Sequence, residues 1–301
     1  MKNSFLILLI SLVLFSCKKD QSTDQLSNID NQLSADSSIE TKNKVLDDIN
    51  KLILENKNDK TQLKSLLEKG LAISTENKMG NKTAGYLTSL LREFPNDSKK
   101  KDHMFALATI MKNSKRTSAS SILFKGFADQ FPNDPRSKEA ATYAAKTFTG
   151  TSHDYLLSTA KSIFEVEDQT KINRKASLDY VNACEAYALA YRDEKSPEYL
   201  YKASEVARSL STYRKSLSLF DWIIEQYPNY EKTPTCLFLK GFVIENELKN
   251  EDLARESYES FLEKYPNDQL ADDVKFLLDN LGKTDEEMLK MIEENRAKQA
   301  Q

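Results

Sequence analysis

Small and large apolar positions recur along this chain in a fixed order, each time ending on an aromatic-Pro-Asn signature. The four signatures are Phe94-Pro95-Asn96, Phe131-Pro132-Asn133, Tyr227-Pro228-Asn229 and Tyr265-Pro266-Asn267. Twelve positions before each proline stands a small residue: Thr83, Ser120, Ser216 or Ala254. Eight before stands Leu87, Phe124, Phe220 or Tyr258, and five before stands Leu90, Phe127, Ile223 or Phe261. The steps of 4, 3 and then 4 to the aromatic beside the proline trace one face of an α-helix. Proline then ends the helix, since it has no N–H to donate and restricts the residue before it. Pro95 and Pro132 lie 37 residues apart and Pro228 and Pro266 lie 38 apart, the period of a helix-turn-helix repeat. The pattern predicts an all-α chain of stacked helical hairpins.

The same periodicity sets the expected elements. Helices are expected near 43–57, 60–74 and 80–94, then over Lys99–Lys112 and Lys115–Gln130. Asp134-Pro135 reads as an N-cap followed by proline in the first turn, opening helices near 135–148, 152–167 and 172–191. This middle stretch breaks the rhythm, because 96 residues separate Pro132 from Pro228, not a whole number of repeats. Ala176, Tyr180, Ala183 and Tyr187 repeat the second-helix spacing without a proline, so the stretch reads as one degenerate unit with an extra or elongated helix. Ser196-Pro197 and Thr233-Pro234 open the next two hairpins, whose second helices are expected over Tyr213–Tyr227 and Glu251–Tyr265. Asp268 is expected to cap a helix with Leu270, Val274, Leu277, Leu278 and Leu281 on one side, covering the end of the array. Thr284 with Glu287 reads as a capping box for a charged last helix over 283–301.

The N-terminus follows a different logic. Lys2 precedes an apolar run from Phe5 to Phe15, too short to span a bilayer but suited to a signal-peptide core. Leu14-Phe15-Ser16-Cys17 resembles the bacterial lipobox, which implies cleavage after residue 16 and a diacylglycerol thioether on Cys17. Several acyl chains would anchor stably where one would not. Residues 17–42 are rich in Ser, Asp, Asn and Gln and are expected to form a flexible tether ahead of a repeat domain at 43–282.

The repeated residues resemble tetratricopeptide repeats (TPR), over roughly residues 60–282. In that family a small residue on each first helix meets a small residue on the second; here the matching positions are Ala108 with Ser120, Ser204 with Ser216, and Gly241 with Ala254. The last of these hairpins carries one extra residue in its turn. The aromatic triplets closing on Tyr-Pro or Phe-Pro, with Ala140 or Ala271 on the next helix, are similar to those of BamD-like and Tol-associated envelope proteins. The Lys-Lys-Asp after Cys17 and the Lys- and Asn-rich composition are in the manner of Bacteroidetes lipoproteins. The resemblance implies a right-handed superhelical solenoid whose first helices line a concave, partner-binding face. Carried onto this sequence, that face comprises Glu198, Tyr201, Glu205, Arg208 and Ser209, then Thr235, Phe238, Phe242, Glu245 and Asn246. Phe238 and Phe242 could equally serve as packing between repeats, and Trp222 lies among core positions.

Composition adds mainly exclusions. Seven glycines and 30% charged residues favour helices over turn-rich β structure. A net charge of −3, from 43 basic and 46 acidic side chains, offers no basis for nucleic-acid binding. His103 and His153 stand apart from any metal-ligand spacing, and no phosphate loop or nucleophile elbow occurs, so neither metal nor catalysis is expected. Cys184 and Cys236 read as buried free thiols. The expected protein is a non-catalytic, lipid-anchored scaffold at the periplasmic face of a bacterial outer membrane. Its partners would be other envelope proteins or peptides, with no cofactor beyond the lipid and no small-molecule substrate. A surface glycan-binding lipoprotein of the SusD-like type is the alternative reading.

Overall fold

The computed structural model describes residues 18–164, 172–283, 286–287 and 290. Fourteen α-helices and no strand occur among the described residues. The chain divides into two units, one ending at Pro95 and one beginning at Asn96.

The first unit holds α1 (Lys18–Ala35), α2 (Ile39–Glu55), α3 (Lys60–Glu76) and α4 (Gly80–Glu93). Each packs on the next around Val45, Leu46, Ile49, Leu66 and Leu67. Asp59 starts α3 by accepting the N–H groups of Thr61 (3.1 Å) and Gln62 (3.0 Å), and Ser38 starts α2 by accepting that of Thr41. The segment expected to be a flexible tether is largely the helix α1. Leu26, Ile29 and Leu33 fall three and four apart, a narrow stripe that its polar composition obscures. Ile29 is buried against the α2–α3 core, with Leu26 and Leu33 packed beside it, and Asp30 pairs with Lys69.

The second unit runs α5 (Lys100–Asn113), α6 (Thr117–Gln130), α7 (Ser137–Ala144), α8 (Ser152–Ser162), α9 (Arg174–Ala190), α10 (Ser196–Ser209), α11 (Tyr213–Gln226), α12 (Thr233–Asn246), α13 (Glu251–Lys264) and α14 (Ala271–Asn280). From α9 to α14 every helix packs on its successor, the consecutive packing of a TPR-like solenoid. The small-residue contacts take three forms. Ser120 Oγ donates to the Ala108 carbonyl at 2.9 Å. Ser204 and Ser216 are both fully buried, but the Ser216 hydroxyl has no partner. Gly241 is pressed by Tyr258 and Ser257, whose Cε1 and Cβ would lie 2.6 Å and 3.3 Å from a Cβ there, and Ala254 is not among the three nearest atoms.

The hairpin turns share one device. Lys78, Lys115, Ser211 and Lys249 adopt positive φ just after the first helix of their hairpins. The next N–H then reaches back five residues, as from Arg116 to Met111 O (2.9 Å) and from Thr212 to Ala207 O (2.9 Å). In the last hairpin Asn250 reaches six residues back to Ile244 O (3.2 Å), which accommodates the extra residue.

The degenerate middle has a specific geometry. α7 is only eight residues and starts at Ser137, not at Pro135, because Asp134 accepts the Arg136 N–H (3.0 Å) inside a turn. α9 packs directly on α6, where a Cβ on Gly126 would lie 2.6 Å from the Cβ of Ala190. α8 is fastened at its edge through hydroxyls, Tyr155 to Ser118 (2.7 Å) and Ser152 to Tyr191 (2.8 Å). Asp268 likewise acts in a turn three residues before α14 begins, accepting the Leu270 N–H (2.9 Å). Cys17, the leader before it and Thr284 of the last expected helix lie outside the described residues.

Candidate functional site

The candidate face lies on α10 and α12. Both helices start with proline in the first turn, where its missing N–H removes no bond. Asp193 organises the entry to α10 by accepting the N–H groups of Lys195 and Ser196 (both 3.1 Å). Thr233 Oγ1 ties the entry to α12 onto the Tyr227 carbonyl (2.8 Å). Pro197 and Pro234 are 37 residues apart, so Tyr201 and Phe238, and Glu205 and Phe242, occupy equivalent positions.

Two of the expected partner-binding residues are engaged by the protein itself. Glu198 Oε2 accepts from Lys232 Nζ (2.9 Å) and from the Tyr230 hydroxyl, while Oε1 pairs with Lys202 (3.2 Å). Burial acts to raise the Glu198 pKa, but the hydrogen bonds from Lys232, Tyr230 and Lys202 outweigh it and hold the carboxyl below its ordinary value. Lys232 Nζ also sits 4.9 Å above the centroid of the Tyr201 ring. Glu198 and Tyr201 thus form a clamp with the cation that precedes α12. The arrangement occurs twice. Arg136 reaches Asp102 (2.8 Å) and covers the Phe105 ring (4.9 Å), and these three positions each stand 96 residues before Glu198, Tyr201 and Lys232. Sequence reasoning missed both cations. Their signal is an acidic residue, an aromatic three positions on, and a cation 31 positions beyond that.

The rest of the face is less committed. Phe238 and Phe242 are half-buried with ring centroids 6.2 Å apart, and Phe238 also packs against the core of the last hairpin. Glu205 and Arg208 pair at 3.0 Å, yet Glu205 Oε1 and Arg208 Nε are covered and meet no partner. Glu245 accepts from the Tyr258 hydroxyl (2.6 Å). Asn246 donates back to the Phe242 carbonyl (3.0 Å), which makes it a helix-end residue. Thr235 is half-buried, Ser209 is exposed, and Trp222 is buried with Nε1 toward Gln226 (3.2 Å).

Other reactive groups are held in place. Burial pushes the thiol of Cys236 up to about 12 and that of Cys184 higher, and both cysteines are free and buried. His153 Nδ1 meets the hydroxyl of the buried Tyr199 at 2.5 Å, joining α8 to α10. Among the described residues, no group of three or more His, Cys, Asp or Glu side chains could hold a metal ion. No helix among them is long and apolar enough to cross a membrane.

Residues 235–268, which span α12 and α13, match the tetratricopeptide repeat family. No curated protein matches the chain. The match falls on the helix that carries Phe238 and Phe242, and repeats of this class generally mediate protein–protein interaction.

Proposed function

We propose that this chain is a non-catalytic, lipid-anchored scaffold that binds other proteins of a bacterial cell envelope through the α10–α12 face. One observation supports the reading above the rest: Phe238 and Phe242 are half-buried on the helix that matches the repeat family. Aromatic side chains on α12, with the Glu205–Arg208 pair on α10, suit an apolar segment of a partner chain, which would gain burial against the rings and polar contacts from the pair. The Glu198–Tyr201–Lys232 clamp keeps α10 and α12 in register, so the face is held ready before binding. Lipid on Cys17 would place the scaffold at the periplasmic face of the outer membrane, and contribution to assembly or maintenance of that membrane fits such a position.

The test is in two parts. Crosslinked envelopes carrying wild-type protein are expected to yield a defined protein partner that is lost with Phe238→Ala/Phe242→Ala. Recovery of the same partner in full from the double variant overturns the site. Metabolic labelling with a fatty-acid analogue is expected to mark the protein and to fail for Cys17→Ala. Labelling that persists in the variant overturns the anchor.

A further inference from the structure

The first unit contains a second candidate surface, built from other helices than α10 and α12. In it α2 and α4 both pack on α3, and between them lies a half-open groove of about 260 Å³. Leu67 of α3, Ile53 of α2 and the Tyr86 ring of α4 line it with apolar surface. Asn50, Lys82 and Ser89 supply its polar groups. Gly85 lines it from the middle of α4.

Gly85 needs an explanation. Glycine inside a helix is less favourable than alanine, because the chain gives up more freedom on folding. Elsewhere in the protein such glycines answer a steric demand: a Cβ on Gly126 or Gly241 would strike a neighbour at 2.6 Å. A Cβ on Gly85 would meet nothing within 4 Å. Packing therefore does not call for glycine here. What the missing side chain leaves is space in the groove.

The polar groups of the groove are mostly donors. The Asn50 carbonyl oxygen is occupied by the Tyr86 hydroxyl (3.0 Å), which leaves its NH₂ group to donate. Neither that group nor the Ser89 hydroxyl has a hydrogen-bond partner among the described residues. Lys82 stands 3.7 Å from Asp47, beyond hydrogen-bond length, and the Asp47 side chain is largely exposed. A second carboxylate can therefore compete for that ammonium. On α2, Leu54 follows Ile53 and lies four residues beyond Asn50 on the same side of the helix, and it is 76% exposed. The groove thus pairs donors with apolar walls, and its volume suits one large side chain better than a whole ligand of drug size.

We propose that this groove docks a partner polypeptide by a large apolar side chain next to an acidic one. The apolar side chain fills the space over Gly85, and the carboxylate is met by Lys82, Asn50 and Ser89. The groove is formed by α2, α3 and α4 and shares no residue with α10 and α12.

The full mature chain can be panned against a displayed library of random twelve-residue peptides. Wild type is expected to enrich an apolar residue beside Asp or Glu. Gly85→Leu, which fills the groove without a clash at its Cβ, is expected to lose that enrichment at least tenfold with its thermal midpoint unchanged or raised. Lys82→Glu is expected to shift the preference from acidic to basic neighbours. Failure of wild type to enrich any peptide overturns the proposal, as does enrichment unchanged by Gly85→Leu. Peptides lost on Phe238→Ala/Phe242→Ala but kept by Gly85→Leu would support the α10–α12 face and reject this groove. Displacement of the peptides by small apolar carboxylic acids at equal concentration would overturn a polypeptide as the occupant.

Discussion

Lys232 donates to Glu198 at 2.9 Å while its ammonium stands 4.9 Å over the ring of Tyr201, so one cation joins two turns of α10 to the start of α12. Both interactions are partly exposed, and each contributes roughly 0.5–1 kcal/mol at most. Lys232→Met keeps the apolar stem and removes the charge, and is expected to cost about 1 kcal/mol at pH 7. The folded-state pKa of Glu198 lies below its unfolded value of about 4.3, so its contribution is present above that pH and is lost as the pH falls through the folded value. Urea unfolding at pH 7 and pH 3.5 should show the deficit shrinking in acid. An equal deficit at both would mean that the carboxylate plays no part.

Gly241→Ala places a methyl group 2.6 Å from Tyr258 Cε1 and 3.3 Å from Ser257 Cβ. Tyr258 is fully buried and its hydroxyl is held by Glu245, so the ring has little room to retreat. A loss of roughly 1–3 kcal/mol is expected from overpacking, even though alanine is the better helix former. Equilibrium unfolding measures it, and no loss would show that α12 and α13 stand farther apart.

Ser120 and Ser216 occupy equivalent positions on α6 and α11 but differ in what their hydroxyls do. Ser120 Oγ donates to the Ala108 carbonyl, whereas Ser216 Oγ is buried without a partner. Ser120→Ala is expected to lose about 1 kcal/mol, and Ser216→Ala to be neutral or to gain up to about 1 kcal/mol. The two melting temperatures should move apart, and a common shift would contradict the distinction.

Ile29 tests whether α1 belongs to the folded unit. Its side chain is 3% exposed against the α2–α3 core. Ile29→Ala should cost roughly 2 kcal/mol for the lost burial and the cavity. Hydrogen exchange in wild type should show protected amides over 26–33. Immediate exchange there, with an unchanged stability in the variant, would restore the flexible tether.

The helices that end on aromatic-Pro were legible almost to the residue, as α11 and α13 show. Their apolar spacing and their stop signal coincide. α1 was not legible because three apolar side chains among so many polar ones resemble a solvated linker until a partner surface is known. α8 was expected to be longer, and its fastening through Tyr155, Ser152 and His153 uses hydroxyl and imidazole contacts that no hydrophobic period announces. The candidate residues lie on α10 and α12, but family positions could not tell Glu198 and Tyr201, which the fold employs, from Phe242, which it leaves half-open. That difference depends on Lys232, a residue from the following hairpin.

Seven consecutive residues of α6, Ser118 to Phe124, are buried, two full turns with no side facing water. Helices α5, α7 and α9 surround it, and the small side chains of Ser118, Ala119, Ser120, Ser121 and Gly126 give them room. Drift in the sequence over generations has nowhere to settle on such a rod. Saturation mutagenesis would therefore find its deepest trough of tolerance there, at positions that meet only the protein itself.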